Sequence, residues 1–401
     1  MSLECHTDWL MDKLSIVGNL PLQGMARISI VDGLIEAVEM GEFKPQEADL
    51  YLPDCFLVPG FIDLQINGGL GHDFTLDPNS VYELAKQLPR WGCTAFLPTI
   101  ITSEFGAYQH SLKLVKEAMQ EATGARVLGA HLEGPYLNRF YKGAHDSNYL
   151  RSPSVTEVAS LLESGSLRMF TLAPELPGAL EMIEYLVKRG VRVAAGHTGA
   201  TYEEGRAAFL AGASYVTHLF NAMPSIHHRR PGIIAAALDP ILPHRSRPYV
   251  GVIADGIHVH PAVLRLLGDT PLTLVTDAMA GMGMPSGQYK LAGLDVIVDE
   301  TSARLNDGKK TLAGSILTID QAVRNAMVFL NLSLPKAVSL VSTNPAAFLG
   351  KQGELGALEQ GYRADLVVLD QSMQVHLTVV GGQIVYQRGD AAKEPMQATI
   401  I

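Results

Sequence analysis

The chain has 401 residues, 47% hydrophobic and 18% charged, enough for two domains or for one large α/β barrel with an attachment. A formal net charge of −10 argues against nucleic acid or an anionic membrane surface as partner. An anionic small substrate would therefore have to meet locally gathered positive charge.

The N-terminal string MSLECHTDWLMDKLSIVG lacks a basic segment followed by an apolar run and a small-residue cleavage site. No apolar stretch approaches the roughly 20 residues a membrane helix needs, so the expected location is the cytoplasm. Cys5, Cys55 and Cys93 are scattered without CxxC spacing and read as free thiols. Up to residue 56 the sequence consists of short alternating runs, and ARISIVDGLIEAVEM reads as a hairpin turning at Asp32-Gly33. From 57 to 350, apolar strands alternate with helical stretches such as VYELAKQL, ALEMIEYLVKRG and YEEGRAAFLAGA. The strand candidates are FLVPGFIDLQI, TAFLPTI, RVLGAHL, RMFTLAP, VRVAAGH, YVTHLF, YVGVIADG and LTLVTDA. Eight βα units predict a closed (β/α)8 TIM-like barrel. There is no P-loop and no G-x-G-x-x-G, so a nucleotide-binding sheet has no fingerprint. Residues 351–401 are β-rich again, with Gly381-Gly382 between two strand-like runs. They are expected to pair with residues 1–56 in one small β-sandwich beside the barrel.

In a parallel barrel, function collects at the C-terminal ends of the strands. LGAHLEGPYL puts His131 and Glu133 there, VAAGHTGAT ends in His197, and VTHLFNAM carries His218. IADGIHVH offers Asp255 and His258, and LVTDAMAG ends in Asp277. A lone strand-end histidine is more often a hydrogen-bonded structural residue, but five such strands in succession are harder to dismiss. Glu133, His197 and His218 have the chemistry of a catalytic divalent-metal site that leaves a position for water. An ion pair with a barrel arginine is the plainer reading of Glu133. Asp277 either anchors a neighbouring amide or, beside an activated water, serves as general base.

Assembled in order, these strings resemble the N-acetylglucosamine-6-phosphate deacetylases of the amidohydrolase superfamily. The matching pieces are PGFIDLQINGG, HLEGPYL, KGAH, LAPE, AGHTGAT, THLFNAM, RPG, ADGIHV, VTDAMA and TLAGS, between residues 59 and 316. NPA at Asn344–Ala346 and the later ADLVVLD extend the match, although alone they mark only the wider superfamily. The resemblance implies metal-dependent removal of the acetyl group from an amino-sugar phosphate, in amino-sugar catabolism and cell-wall recycling. It implies one divalent metal on Glu133, His197 and His218, Zn2+ first, with Fe2+, Co2+ or Mn2+ also suited. Asp277 would be the base and then the acid, and His258 would polarise the acetyl carbonyl. Asn221, Ala222 and Arg229 would hold the sugar phosphate, with Ala144 and His145 near the sugar. Leu312, Ala313 and Gly314 would close over the substrate. The phosphate loop can reach a neighbouring subunit in such enzymes, so a homodimer is implied.

Two departures stand out. Where many superfamily members end the first strand in His-x-His, which holds a second metal, this chain has Gln65-Ile66-Asn67, as one branch of the deacetylases does. Neutral amides are weak ligands, so this reads as a vestigial second-metal position whose amides line the pocket or satisfy backbone groups. The loop before Pro-Gly reads HHRRPG, crowding His227, His228, Arg229 and Arg230 together, and leaves open which of them meets phosphate. Rival readings are the galactosamine epimer as substrate, another amidohydrolase such as a cyclic-amide hydrolase or deaminase, and a non-catalytic scaffold on the same fold.

Overall fold

The structure, a computed structural model, describes residues 13–389. Cys5 and both chain ends lie outside them. Cys55 is half-buried and Cys93 is buried, and both are free thiols. Among the described residues no helix is long and apolar enough to cross a membrane.

Four strands come first among the described residues: β1 (Lys13–Leu20), β2 (Gly24–Val31), β3 (Leu34–Met40) and β4 (Leu50–Pro59). The expected hairpin is present, β2 pairing antiparallel with β3 around Asp32-Gly33, both at positive φ. Only Gly60 separates β4 from β5 (Phe61–Ile66), the first barrel strand. A Cβ on Gly60 would collide with the Thr94 side chain, which packs against the backbone here as only glycine allows.

The barrel continues with β6 (Cys93–Ile101), β7 (Ala130–Glu133), β8 (Leu167–Leu172) and β9 (Arg192–Ala195). It ends with β10 (Tyr215–Val216), β11 (Tyr249–Val252) and β12 (Leu272–Leu274). These pair in parallel in the order β12-β11-β10-β9-β8-β7-β6-β5. The first and last strands meet through single contacts. The Asp277 amide donates to the Gln65 carbonyl at 2.8 Å and the Asn67 amide to the Ala278 carbonyl at 2.8 Å. At the other end Leu340 and Val341 fill the seam, their carbonyls accepting from Leu274 and Ile62. Helices pack outside with apolar stripes at helical spacing. Ala179–Val187 buries Ala179, Met182, Ile183 and Leu186, and Tyr202–Ala211 starts at a Thr201/Glu204 capping box and stops at Gly212, φ 113°.

Beyond β12 the strand–helix alternation breaks. β13 (Gly287–Leu291), β14 (Leu294–Val298) and β15 (Ala303–Leu305) form a three-stranded antiparallel sheet. Its first turn is the pair Ala292-Gly293, both at positive φ, as a two-residue hairpin requires. Leu291, Val296, Val298 and Ala303 pack on Met279, Ala280, Ala144 and Ile101, seating the sheet on the barrel mouth.

The C-terminal strands β16 (Leu366–Leu369), β17 (Val375–Val380) and β18 (Gln383–Gln387) join the N-terminal ones in the order β18-β17-β16-β4-β1-β2-β3. The two β-rich ends therefore do combine, and the layers of the expected sandwich are one continuous seven-stranded sheet. It folds back until Leu34 bridges Arg363, around a core that includes Ile16, Ile28, Ile35, Leu57, Leu366 and Leu377.

Candidate active site

The barrel strands are shorter than their sequence strings because the polar residues at their ends leave the extended conformation. His197, His218 and Asp277 have φ of 50°, 30° and 49°. Non-glycine residues in this region are strained by roughly 1–3 kcal/mol each, a pattern common at functional sites.

Glu133 Oε1 lies 3.1 Å from His197 Nε2 and 3.0 Å from His218 Nε2, and the two nitrogens are 3.1 Å apart. The His197 Nδ1–H donates to the Tyr141 carbonyl at 2.9 Å, which leaves the Nε2 lone pair facing its neighbours. All three side chains are buried, and their donor atoms lie within 4.8 Å of one another. Two imidazole nitrogens and one carboxylate oxygen this close satisfy one another poorly with protons, whereas a divalent cation takes all three. The donor set fits such a metal. Burial raises the Glu133 carboxyl, but His197 and His218 outweigh it and hold the group well below the usual carboxylate range. Burial likewise opposes a charge on His218, yet Glu133 draws its pKa upward.

Gln65 Nε2 donates to Glu133 Oε1 and to Asp277 Oδ1, each at 3.1 Å, and Asn67 Nδ2 donates to Asp277 Oδ1 at 2.7 Å. A carboxylate only accepts, so it turns the NH2 ends of both amides inward. The amide oxygens, the only atoms that could ligate a metal, are buried without partners. These amides position the carboxylates and do not form a second ligand set. The Asp277 carboxyl is raised, first by burial and then by the charge of Glu133.

His258 Nδ1 meets Asp255 Oδ2 at 2.6 Å, while Asp255 Oδ1 accepts from the amides of Ile257 and His258 at 2.8 Å. That clamp leaves His258 Nε2 as the ring nitrogen available to a ligand. His145 Nδ1 accepts the Thr102 amide at 3.2 Å and lies 2.7 Å from Thr102 Oγ1, so its proton sits on Nε2, 3.9 Å from Glu133 Oε2. His131 takes the structural role that a lone strand-end histidine usually has. It is buried between Thr99 and Thr171, and burial lowers it to about 4.

These groups floor a cavity of about 630 Å³, within the range of small-molecule sites. It is lined by Glu133, His145, His197, His218, His258 and Asp277, and by Asn67, Ala144, Asn221, Ala222, Leu312 and Gly314. Gln65 lies beneath the floor, and Ala313 is fully buried under the small sheet. Gly314, φ 63°, is held so close that a Cβ would stand 2.8 Å from the Asp277 carbonyl. Arg229 and Arg230 are not brought to this cavity. They sit exposed on a loop pinned by the Arg230 amide donating to the His227 carbonyl at 3.0 Å, with His227 and His228 rings together. The cations that do line the cavity are Arg139, Lys142, Arg304 and Lys310, of which only Lys142, the first residue of KGAH, falls in a string singled out in the sequence. For Arg304 the sequence signal is the alternation in GQYKL and LDVIV, which marks the sheet that carries it.

An eight-stranded parallel barrel with a His2Glu cluster at its strand ends and a carboxylate beside it defines a metal-dependent barrel hydrolase. The amidohydrolase family model matches residues 56–385, and the chain belongs to that family. It is 39% identical over 355 residues to human N-acetylglucosamine-6-phosphate deacetylase, covering 85% of this chain and 86% of that protein. It is 38% identical over 365 residues to N-acetylgalactosamine-6-phosphate deacetylase of Escherichia coli O157:H7, covering 89% and 94%. Among solved structures it is similar to a mutant N-acetyl-D-glucosamine-6-phosphate deacetylase of Mycobacterium smegmatis in complex with N-acetyl-D-glucosamine-6-phosphate. The TM-score is 0.86 at 35% identity, covering 94% of this chain and all of that one.

Proposed function

We propose that this chain hydrolyses the N-acetyl group of N-acetyl-D-glucosamine 6-phosphate, releasing acetate and D-glucosamine 6-phosphate. The observation that carries the reading is the convergence of Glu133, His197 and His218 on one point, with Asp277 linked to Glu133 through the Gln65 amide. A non-catalytic scaffold would not be expected to keep three metal donors and the base together.

A divalent metal held by Glu133, His197 and His218 would polarise the acetyl carbonyl and make a water more acidic, with Zn2+ our first choice and Fe2+, Co2+ or Mn2+ compatible. Asp277, fixed by Gln65 and Asn67, accepts the proton of the attacking water. In its doubly protonated form, with Nδ1–H held by the Asp255 carboxylate, His258 donates Nε2–H to the carbonyl oxygen as it becomes an oxyanion, worth roughly 3 kcal/mol for a well-placed donor. Asp277 then passes its proton to the leaving nitrogen as the C–N bond breaks. Water thus supplies the hydroxyl of acetate and a proton of the amine. His145 and the backbone at Ala144, Asn221, Ala222, Leu312, Ala313 and Gly314 shape the sugar site. Arg229, with Arg230 and His227 beside it, is on an exposed loop, and we assign it to the phosphate end of a second copy's substrate in a homodimer. A phosphorylated sugar does not cross membranes freely, which supports a cytoplasmic site of action.

Acetate release tests the reading. Metal-replete protein should hydrolyse N-acetylglucosamine 6-phosphate far faster than the unphosphorylated sugar. The galactosamine epimer belongs in the same assay, because one similar protein carries that name. A protein that released acetate from neither phosphorylated sugar would sink the proposal.

A further inference from the structure

Glu175 closes the string LAPE after β8 and lies outside the cavity lining. It has no capping task, because the helix Ala179–Val187 that follows starts at Gly178 without a side-chain cap. Among the described residues it is in no ion pair. Its carboxylate instead collects three neutral donors. One oxygen accepts from the Gly199 amide at 2.6 Å and from Asn138 Nδ2 at 2.7 Å, and the other accepts from Thr198 Oγ1. A carboxylate only accepts, and hydrogen bonds to its charge are roughly twice as strong as neutral ones. Three donors turned onto one half-buried acid form a clamp.

What the clamp grips is the backbone around His197. Thr198 and Gly199 directly follow this metal donor, and Asn138 reaches it from the loop after β7. The Asn138 amide donates to the His197 carbonyl at 2.9 Å, and His197 Nδ1 donates to the Tyr141 carbonyl further along the same loop at 2.9 Å. Asn138 Oδ1 accepts from the Phe140 amide at 2.8 Å, which keeps the loop folded between those two contacts. Gly199 packs so tightly against it that a Cβ would stand 2.7 Å from Tyr141 Cε2. Glu175 is thus the side chain at which the loops after β7, β8 and β9 meet. His197 itself has φ 50°, a conformation that persists only where its surroundings over-determine it.

We propose that Glu175 is a positioning residue for the metal site, holding the turn after β9 so that His197 Nε2 faces Glu133 and His218. The same contacts fasten to that turn the loop that carries Ala144 and His145. This rests on the metal site proposed above and not on which sugar the cavity takes. Without the carboxylate, the Gly199 amide, the Asn138 side chain and the Thr198 hydroxyl lose their common acceptor, and the strained His197 backbone is free to relax. Two donors would then stand in place, and the third would have to be brought back before a metal could be held. The role is one of geometry, not of charge.

The test is Zn2+ affinity measured by competition with a chromogenic chelator, a readout independent of turnover. Glu175→Ala should raise the Zn2+ Kd about tenfold or more, the usual cost of losing a group that orients a ligating histidine. Glu175→Asp keeps the charge but is too short to reach all three donors, so it should weaken binding to a similar extent. Glu175→Gln keeps one oxygen for Asn138 and Gly199 and turns its NH2 to the Thr198 hydroxyl, which can accept as well as donate. That variant should stay within about threefold of wild type. If charge alone mattered, Asp would hold Zn2+ well and Gln poorly, and that order would overturn the proposal. So would wild-type Zn2+ affinity in the Ala and Asp variants, even with lowered melting temperatures, since that is the mark of a contribution to stability alone. Glu175→Asp decides the matter if Glu175→Ala does not fold. Wild type that bound no Zn2+ would defeat the metal site itself and the role of Glu175 with it, whereas normal wild-type binding with unaffected variants would defeat only the latter.

Discussion

At Asp277, position and protonation are set by different neighbours. The left-handed backbone turns its side chain out of the strand direction, and the amides of Gln65 and Asn67 donate to one of its oxygens. Burial and the charge of Glu133 raise its affinity for a proton, which suits the base role proposed for it. Asp277→Asn keeps the shape and removes the basicity. The variant should fold and retain its metal while kcat falls below a tenth of wild type, a barrier increase above ~1.4 kcal/mol. Turnover above that level with metal retained would take the base role away from Asp277. The same amides settle what Gln65 and Asn67 do. Their spacing on one strand face was legible in the sequence, but which end of each amide faces inward depends on carboxylates contributed by strands far away in sequence.

Among the elements, the seam between β5 and β12 carries an unusual load, because only isolated contacts join the first strand to the last. Asp63, buried on β5, reinforces it by accepting from Thr276 Oγ1 at 2.6 Å and from the Gln65 amide at 3.1 Å. Burial outweighs these hydrogen bonds and pushes its carboxyl from 3.8 up to about 7. The fold therefore favours the protonated acid. Its contribution is complete below the unfolded value near 4, is lost as pH rises towards 7, and is flat above. Asp63→Asn should remove that slope, so melting temperatures at pH 5 and pH 8 should differ less in the variant than in wild type. An unchanged difference would mean that Asp63 is ionised throughout. This seam also shows what sequence could reveal. Eight apolar runs and their polar ends were readable, since β-rich runs and barrel topology leave strong local patterns. Strand ends were overestimated where His197, His218 and Asp277 bend the backbone, a consequence of tertiary contacts. The sheet of β13 to β15 escaped notice because its short runs interrupt a strong strand–helix alternation. With it went Arg304, whose relation to the cavity follows from a register no local pattern encodes.

For the whole molecule, the metal site ties together strands that otherwise touch only their neighbours. Glu133, His197 and His218 come from the ends of β7, β9 and β10, and the Gln65 and Asp277 contacts extend the cluster to β5 and β12. A metal taken up here binds the folded barrel and not the unfolded chain, so it stabilises the fold by RT ln(1 + [L]/Kd), about 4 kcal/mol at a thousandfold excess over Kd. In a chain of this size that amounts to a melting shift of roughly 5 °C. Only one group of three or more candidate side chains is assembled among the described residues, so elemental analysis should find about one tightly held divalent metal per chain. Chelation should remove it and lower the melting temperature, and returning the metal should restore both. Glu133→Gln should start near the chelated value and respond little to either treatment, because it has already lost the charged ligand. A second tightly held equivalent would show that the amides of Gln65 and Asn67 can turn their oxygens inward after all. An equal response to chelator in the Glu133 variant would place the stabilising metal somewhere other than between β7, β9 and β10.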